Sequence, residues 1–359
     1  MEYIYLKMKT LQLQFVLAVA FFAIIGCKPD GPTYYRIEGK TMGTTYHISF
    51  QGSDPVQIKS GIDSLLDVIN LSMSTYIDSS TISKFNQADS LYCFDNTVDK
   101  HFQLVFEKAK EIYTITGGAF DPSIMPLVNY YGFGYKEKKK VEKADTSQIM
   151  KLLSLLRFDS TSISGPNENN LMCISKPEAG VQIDFSAIAK GYGVDVVAEY
   201  LEANKIRNYM VEIGGEVRAL GLSDKNKEWV IGINRPDENA GLDEVELPLK
   251  ISNRSVATSG NYRNAYESKG HKFAHIIDPK TGFSRQTDIL SASVIAKDCM
   301  TADAYATAFM VLGIDQSLQL IEQLKDVEAC FIFDLEGDGI FEFKISSGFS
   351  DYFLHHEQK

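Results

Sequence analysis

Cysteine is scarce in this sequence, and its spacing excludes the common cysteine-based sites. Five cysteines occur among 359 residues. Cys93, Cys173, Cys299 and Cys330 form no C-x-x-C pair, so neither a zinc motif nor a dithiol redox motif is indicated. The sequence alone does not pair these four residues. The apolar surroundings of Cys299 and Cys330 favour buried free thiols.

Positive charge is also in short supply. The chain has 36 Lys and Arg against 47 Asp and Glu, which gives a net charge of −11. Recognition of nucleic acid depends on basic surface, so we expect no nucleic-acid partner. A phosphate-bearing ligand would need locally placed positive charge or a metal. The hydrophobic fraction of 44% is typical of a globular chain with a sizeable core.

Two glycine- or acid-rich stretches lack the spacing of familiar ligand loops. The glycines at 214, 215 and 221 do not form G-x-G-x-x-G, which argues against a Rossmann dinucleotide site. Residues 334–339 begin like an EF-hand loop, but Ile345 stands where the bidentate Glu is needed. The chain also shows no repeats, heptads or low-complexity tracts.

The sequence lacks an apolar run long enough to span a bilayer comfortably. The run at residues 15–25 follows Lys7 and Lys9, and it is shorter than the ~20 residues of a transmembrane helix. A basic start, a short apolar region and a small residue at 26 predict a secretory signal over residues 1–26.

Cys27 directly follows the small residue of this predicted signal. That placement resembles a lipobox, so we expect an exported lipoprotein, lipidated at Cys27 and anchored to a membrane on the periplasmic side. A simple signal peptide is the alternative, and Met8 is an alternative start. Residues 27–34 would then be a linker, and 35–355 the folded domain.

Residue periodicity predicts helices mainly in the first half and strands mainly in the second. The helices are predicted over 58–73, 82–86, 100–116, 145–157 and 299–324. The strands are predicted within 35–50 and over 171–175, 181–185, 209–213, 217–222, 229–234, 246–251, 255–259, 273–277, 291–295, 329–334 and 340–345. This order predicts an α+β fold with one mixed or antiparallel sheet backed by helices.

The stretch at residues 181–195 changes period in its middle. Alternation over 181–185 predicts a strand, and the following helical period predicts a helix with Ser186 as its N-cap. A strand would thus bring Asp184 to a helix start that carries Lys190. Since helix N-termini favour anions, this junction is a candidate phosphate site. An ordinary junction with a surface lysine is the alternative.

Two further pairs of residues are candidates for chemistry. Asp303 and Thr307 are spaced i, i+4 in an apolar helix, and a hard cation such as Mg²⁺ accepts both side chains. Back-bonding of Thr307 to its own helix is the alternative. His275 and Asp278 lie at the two ends of a predicted strand and turn, where a proton could be moved. A structural role for His275 is the alternative.

Eight short blocks follow one another along the chain. In order they are K-T-M-G-T-T-Y, S-T-Y…S-K-F-N, G-G-A-F-D-P, I-D-F-S-A-I-A-K-G-Y-G-V-D, E-I-G-G-E-V, A-T-S-G-N-Y, H-I-I-D-P-K-T-G and T-A-D-A-Y-A-T-A. Together they resemble the ApbE family, the FAD:protein FMN transferases. The resemblance implies an ApbE-like, T-fold-related fold. It also implies Mg²⁺-dependent cleavage of FAD, transfer of FMN through a phosphoester onto a Thr or Ser of a partner flavoprotein, and release of AMP.

The resemblance also implies site residues, position by position. FAD contacts are implied at Met42, Tyr76, Ala119, Phe120, Asp121, Asp184, Lys190 and Ile277. Magnesium ligands are implied at Asp303, at Thr307 and at the carbonyl of Ala187. Asp184, Asp278 and His275 are the candidates for deprotonating the acceptor hydroxyl, with His275 preferred. The acid usual after T-S-G in the family is replaced here by Asn261.

The implied acceptor is an exported flavoprotein, such as a subunit of Na⁺-translocating NADH:quinone reductase or of an Rnf-type complex. Two other functions would fit the same residues. One is a hydrolase that splits FAD into FMN and AMP with water as acceptor. The other is a flavin-binding lipoprotein without activity, which would have no need of magnesium ligands.

Overall fold

A computed structural model describes residues 33–135, 141–236, 244–261, 265–268, 271–285, 289–336 and 339–354. The predicted signal, Cys27 and most of the predicted linker lie outside the described residues. A compact unit begins at Tyr34. Among the described residues, no helix has both the length and the apolar character needed to cross a bilayer.

The described part of the chain contains eight α-helices. They are α1 (Pro55–Met73), α2 (Thr81–Gln87), α3 (His101–Ile115), α4 (Met125–Tyr130), α5 (Thr146–Leu153), α6 (Ala189–Ala203), α7 (Cys299–Leu312) and α8 (Ile314–Ile321). Three short 3-10 turns lie at Pro122–Ile124, Phe158–Ser160 and Phe349–Tyr352.

Fifteen strands lie within the same residues. They are β1 (Tyr34–Thr41), β2 (Thr44–Gln51), β3 (Leu91–Asp95), β4 (Ser162–Ser164), β5 (Leu171–Ser175), β6 (Tyr209–Ile213), β7 (Glu216–Leu220), β8 (Trp229–Asn234), β9 (Val245–Ile251), β10 (Arg254–Gly260), β11 (Ala265–Ser268), β12 (His271–Ala274), β13 (Ile289–Ala296), β14 (Glu328–Phe333) and β15 (Glu342–Ile345).

An eight-stranded antiparallel sheet organises the fold. Its order is β1-β2-β6-β7-β10-β13-β14-β15, and every neighbouring pair is antiparallel. The two faces of the sheet pack against separate hydrophobic cores. Along β10, Ala257 packs in the core that contains the helices, and its neighbour Val256 packs in the core on the opposite face. Helices α6 and α7 cover the first face, and the β8–β9 hairpin contributes Trp229 to the second. The predicted α+β class, with helices backing an antiparallel sheet, is confirmed.

The predicted strand at 181–185 is wrong. The burial alternates as predicted, but the segment joins no strand of the described sheets. The side chain of Asn86 takes the place of a neighbouring strand, because its amide donates to the Ile183 carbonyl and accepts from the Ile183 N–H, both at 2.8 Å. Ser186 is not an N-cap either. Helix α6 begins three residues later, at Ala189.

Two other predicted boundaries are also corrected. The helix predicted over 299–324 is broken at Gly313, whose φ of 86° ends α7 and starts α8. Only glycine adopts that conformation readily, so the apolar period on both sides could not reveal the break. The strand predicted over 273–277 ends at Ala274. His275 and Ile277 therefore lie on the connection after β12, where Ile277 makes a single bridge to Ser284.

A small sheet of order β3-β5-β4 carries a disulfide between Cys93 and Cys173. The two cysteines are direct cross-strand neighbours of β3 and β5. The sequence did not pair the four cysteines, because β3 was not predicted and its partner strand could not be known. Cys299 and Cys330 are free and buried, as expected.

Candidate functional site

The turn between β1 and β2 places Met42 against helix α6. Met42 and Gly43 both have positive φ, at 50° and 74°, which is the geometry of a tight two-residue hairpin turn. A Cβ added at Gly193 would lie 2.8 Å from the Cε of Met42. The absence of a side chain at Gly193 therefore lets the Met42 side chain rest on the first turns of α6.

Helices α6 and α7 pack closely at Gly191. A Cβ there would overlap the carbonyl oxygen of Cys299 and lie 2.8 Å from the Cβ of Asp303. The Gly191 N–H donates to Oδ2 of Asp303 at 2.9 Å. One glycine thus brings the Asp303 carboxylate of α7 to the start of α6, where Lys190 lies.

Lys190 is shared between two buried carboxylates. Its Nζ lies 2.6 Å from Oε1 of Glu216 and 3.8 Å from Oδ1 of Asp303. Glu216 is 3% exposed and Asp303 is 5% exposed. Burial by itself lowers the pKa of Lys190, but Asp303 and Glu216 raise it above its ordinary value. The ammonium is therefore charged at neutral pH.

The contact with Lys190 satisfies only one of the two carboxylate oxygens of Glu216. Its Oε2 is buried without a hydrogen-bond partner among the described residues. Burial raises the pKa of Glu216 above its ordinary value, while Lys190 opposes that rise and the charge of Asp303 adds to it. Two carboxylates against one ammonium give the cluster an excess of negative charge when both are ionised, which favours a further cation.

Asp195 of α6 fixes the start of α7. Its two carboxylate oxygens accept from the N–H groups of Cys299 and Met300, at 2.9 and 2.8 Å. Arg218 of β7 donates to the same carboxylate at 2.8 Å. Burial raises the pKa of Asp195 to about 6, and these partners limit the rise. Helix α7 is thus held to both α6 and the sheet just before the turn that carries Asp303.

Asp184 and Asp121 are brought together by one backbone hydrogen bond. The N–H of Asp184 donates to the carbonyl of Pro122 at 2.8 Å. Oδ1 of Asp184 accepts from the Ser186 N–H, and burial raises the pKa of Asp184. The side chain of Asp121 accepts from the N–H and the hydroxyl of Ser123. Burial raises the pKa of Asp121 to about 6.

The aromatic candidates differ in exposure. Tyr76 is 71% exposed, and its ring meets the edge of Tyr135 with centroids 6.4 Å apart. Partial burial first and the charge of Asp184 second raise the pKa of Tyr76. Ala119 and Phe120 are buried in the main core. The Phe120 ring therefore belongs to the core and not to an open stacking surface.

His275, Ile277 and Asp278 occupy a loop that is tied to α7. Arg285, at the end of this loop, donates from its side chain to the carbonyl of Val311 in the last turn of α7. The ring of His275 is partly exposed and lies 6.4 Å from that of Phe133. The Asp278 carboxylate accepts from the Lys280 N–H at 2.8 Å, so it shapes its own turn. His275 and Asp278 both remain candidates for moving a proton.

The predicted magnesium ligands are oxygen donors of the kind that Mg²⁺ prefers. They are a carboxylate (Asp303), a hydroxyl (Thr307) and a carbonyl (Ala187). Among the described residues, no three His, Cys, Asp or Glu side chains form a metal cluster, so such a site relies on backbone and hydroxyl oxygens. The excess negative charge of Glu216 and Asp303 over Lys190 is consistent with a cation here. The residues fit the ion.

Sequence reasoning missed the residues that position the site. Glu216 and Asp195 were not proposed, and neither were Asn86 and Lys176. Lys176 donates to the carbonyls of Phe85, Asn86 and Val181, and so helps to hold the segment that carries Asp184. A signal existed for three of them, because Asn86 ends the block S-K-F-N, Asp195 ends the block I-D-F-S-A-I-A-K-G-Y-G-V-D, and Glu216 follows the glycine pair of E-I-G-G-E-V.

Comparison with known proteins gives a consistent result. The model of the ApbE family matches residues 42–331. A curated relative from Haemophilus influenzae, named FAD:protein FMN transferase, is 36% identical over 316 residues, which cover 86% of this chain and 89% of the relative. A relative of the same name from Vibrio cholerae is 36% identical over 312 residues, covering 86% and 90%.

Solved structures agree over a similar length. The flavin transferase ApbE from Vibrio cholerae superposes with a TM-score of 0.78 at 34% identity, covering 90% of this chain and 100% of the other. The apo flavinyl transferase ApbE from Pseudomonas stutzeri gives a TM-score of 0.78 at 27% identity, covering 90% and 98%.

Proposed function

The chain belongs to the ApbE family, and on that premise we propose that it is a flavin transferase that moves FMN from FAD to an acceptor flavoprotein. The observation that carries the proposal is the convergence of Lys190 and Asp303 at the start of α6. An ammonium beside a site for a hard cation would bind a pyrophosphate and offset the charge that develops when it is split.

The proposed reaction balances as a simple substitution at phosphorus. The acceptor hydroxyl, of a Thr or Ser, forms a bond to the FMN phosphorus of FAD. The bond from that phosphorus to the bridging oxygen breaks, and AMP leaves. The hydroxyl proton goes to a base, for which we propose His275, because imidazole is the side chain that most often serves as a general base.

The protein residues would bind and orient the dinucleotide. Lys190 would offer its charged Nζ to the pyrophosphate, and Met42, Tyr76, Asp121, Asp184 and Ile277 would hold the rest of FAD. Mg²⁺, held by Asp303, Thr307 and the Ala187 carbonyl, would neutralise charge that develops on the pyrophosphate. The His275 ring is partly exposed, so we propose that the acceptor hydroxyl approaches from this side.

Mass spectrometry of an acceptor fragment tests this function. The purified protein, FAD and Mg²⁺ are incubated with a fragment of a candidate flavoprotein that carries the target Thr or Ser. We expect the fragment to gain the mass of one FMN and AMP to appear in equal amount. Steady AMP release without a mass gain would instead indicate the hydrolase. FAD retained without either product would indicate a binding protein.

The location and acceptor are part of the same proposal. We propose that Cys27 is lipidated and that the domain faces the periplasm, where an exported subunit of a Na⁺-translocating NADH:quinone reductase or Rnf-type complex could serve as acceptor. Replacing Cys27 by Ser should move the protein from the membrane fraction to the soluble fraction. Unchanged membrane association of that variant would contradict the anchor.

A further inference from the structure

The Lys190 ammonium has two carboxylates within reach but sits closer to one of them. Its Nζ is 2.6 Å from Glu216, within hydrogen-bond distance, and 3.8 Å from Asp303, beyond it. Asp303 uses its other oxygen to accept from the Gly191 N–H. If Glu216 were not charged, Asp303 would be the nearest carboxylate left for the lysine.

The backbone fixes the position of Glu216. It is the first residue of β7, paired with Ile213 across the hairpin turn of Gly214 and Gly215. Both glycines have positive φ, at 59° and 103°, so the turn is tight. The Lys190 side chain crosses this turn, because a Cβ at Gly214 would lie 3.3 Å from its Cδ. The glycine turn thus guides the lysine toward Glu216.

The burial of Glu216 lowers the stability of the folded protein. Its Oε2 has no partner within the described residues, and an acceptor buried without a donor destabilises a fold. Glu216→Gln keeps the size and shape of the side chain and removes its charge, and thermal unfolding checks that the variant folds. This makes the charge of Glu216 testable without loss of structure.

We propose that Glu216 is a positioning residue that holds the Lys190 ammonium off Asp303 and so keeps the Asp303 carboxylate available to a divalent cation. The inference rests on the proposed function, in which Asp303 is a metal ligand. A lysine paired with Asp303 would compete with the ion for the same oxygen. Once drawn to Glu216, the same ammonium stays beside the metal position without occupying it.

Binding of Mn²⁺, as a probe for Mg²⁺, tests the proposal on the detergent-solubilised full chain without FAD. Electron paramagnetic resonance counts the free Mn²⁺. We expect Glu216→Gln to bind Mn²⁺ about 10-fold more weakly than the wild type, because Lys190 then pairs with Asp303. The double variant Glu216→Gln with Lys190→Met should recover tight binding, because no lysine remains to compete.

Glu212→Gln is the matched control, since it removes the same charge from the same hairpin. Glu212 bonds instead to His47 and to the Gly215 N–H. We expect this variant to bind Mn²⁺ like the wild type. Wild-type affinity in Glu216→Gln would overturn the inference. So would weak binding in the double variant, which would make Glu216 a ligand itself.

The inference and the proposed function can fail separately. If the wild type transfers FMN but Glu216→Gln binds Mn²⁺ normally, the role of Glu216 is wrong and the function stands. If the Mn²⁺ pattern is as expected but the wild type transfers no FMN, the function is wrong and the role of Glu216 stands.

Discussion

At the scale of single residues, Asp303 makes two different kinds of interaction. It accepts from the Gly191 N–H and lies near the Lys190 ammonium. Its side chain therefore contributes both to joining α6 and α7 and to the charge of the site. A substitution that keeps the shape but removes the charge separates these contributions.

Asp303→Asn is expected to fold but to lose activity. The amide oxygen can still accept from Gly191, but a neutral group is a poor ligand for Mg²⁺. We expect FMN transfer at saturating FAD to fall by about 100-fold or more. A titration of the rate with Mg²⁺ measures this, with thermal unfolding as the check on the fold.

Asp298→Asn is the matched control at the start of the same helix, because the Asp298 side chain caps α7 by accepting from the Thr301 N–H. Asn caps helices as well as Asp does, so its Mg²⁺ requirement should not change. Full activity of Asp303→Asn at low Mg²⁺ would contradict the metal assignment.

Asp121 should make stability depend on pH. Burial raises its pKa to about 6 from 3.8, so between those values the folded protein holds a proton that the unfolded chain has lost. Stability therefore falls as pH rises from about 4 to about 6 and is then constant with respect to this group. Asp121→Asn lacks this effect, and its stability relative to the wild type should rise by about 2–3 kcal/mol between pH 4 and pH 7.

Urea unfolding at pH 4, 5, 6 and 7 measures this difference for Asp121→Asn. Asp145→Asn makes the same change at an exposed N-cap and controls for the general loss of a carboxylate. Parallel pH curves for the wild type and Asp121→Asn would show that the carboxyl is not perturbed as described.

At the scale of elements, two glycines of α6 have different neighbours. Gly191 faces the Cys299 carbonyl, which is backbone and cannot move away alone. Gly193 lies on the same helix but faces the end of the flexible Met42 side chain. The same added methyl group should therefore have different costs at the two positions.

Gly191→Ala is expected to destabilise the protein by about 2–3 kcal/mol, because the two helices must separate. Gly193→Ala, its matched control, should stay within about 1 kcal/mol, since Ala gains helix propensity while Met42 rotates away. Denaturant unfolding of both variants measures this. Equal stabilities would mean that α6 and α7 do not meet as closely as described.

At the scale of the whole molecule, the Cys93–Cys173 disulfide closes a loop of 80 residues. This loop contains α3 and the residues around Asp121. Cross-linking long loops restricts the unfolded chain, so removing the disulfide should cost stability. Cys299 and Cys330 are free thiols, so reductant has no bond to break at either of them.

The double variant Cys93→Ser with Cys173→Ser should unfold at lower temperature, with a loss of about 2–4 kcal/mol. Reductant should bring the wild type to the same stability and leave the double variant unchanged. Calorimetry with and without dithiothreitol measures both. A wild type that is insensitive to reductant and equal to the variant would contradict a contribution of the disulfide.

Local pattern determined much of this protein. The two-residue turn at Met42–Gly43, strands β6 and β8, helix α2 and the spacing of Asp303 and Thr307 follow from period, turn chemistry and caps that lie within a few residues of one another. The α+β class follows from their order. The motif blocks pointed to the family, because their residues keep fixed spacing along the chain.

Tertiary structure decided what connects distant residues. The segment at 181–185 has the alternation of a strand, but Asn86 and Pro122 satisfy its backbone from elsewhere in the chain. The start of α7 is fixed by Asp195, more than a hundred residues earlier. The placement of Lys190 between Glu216 and Asp303 exists only after α6, α7 and the β6–β7 turn have packed. Charge and burial depend on which residues lie close together in space, so the pattern of neighbouring residues along the sequence does not predict them.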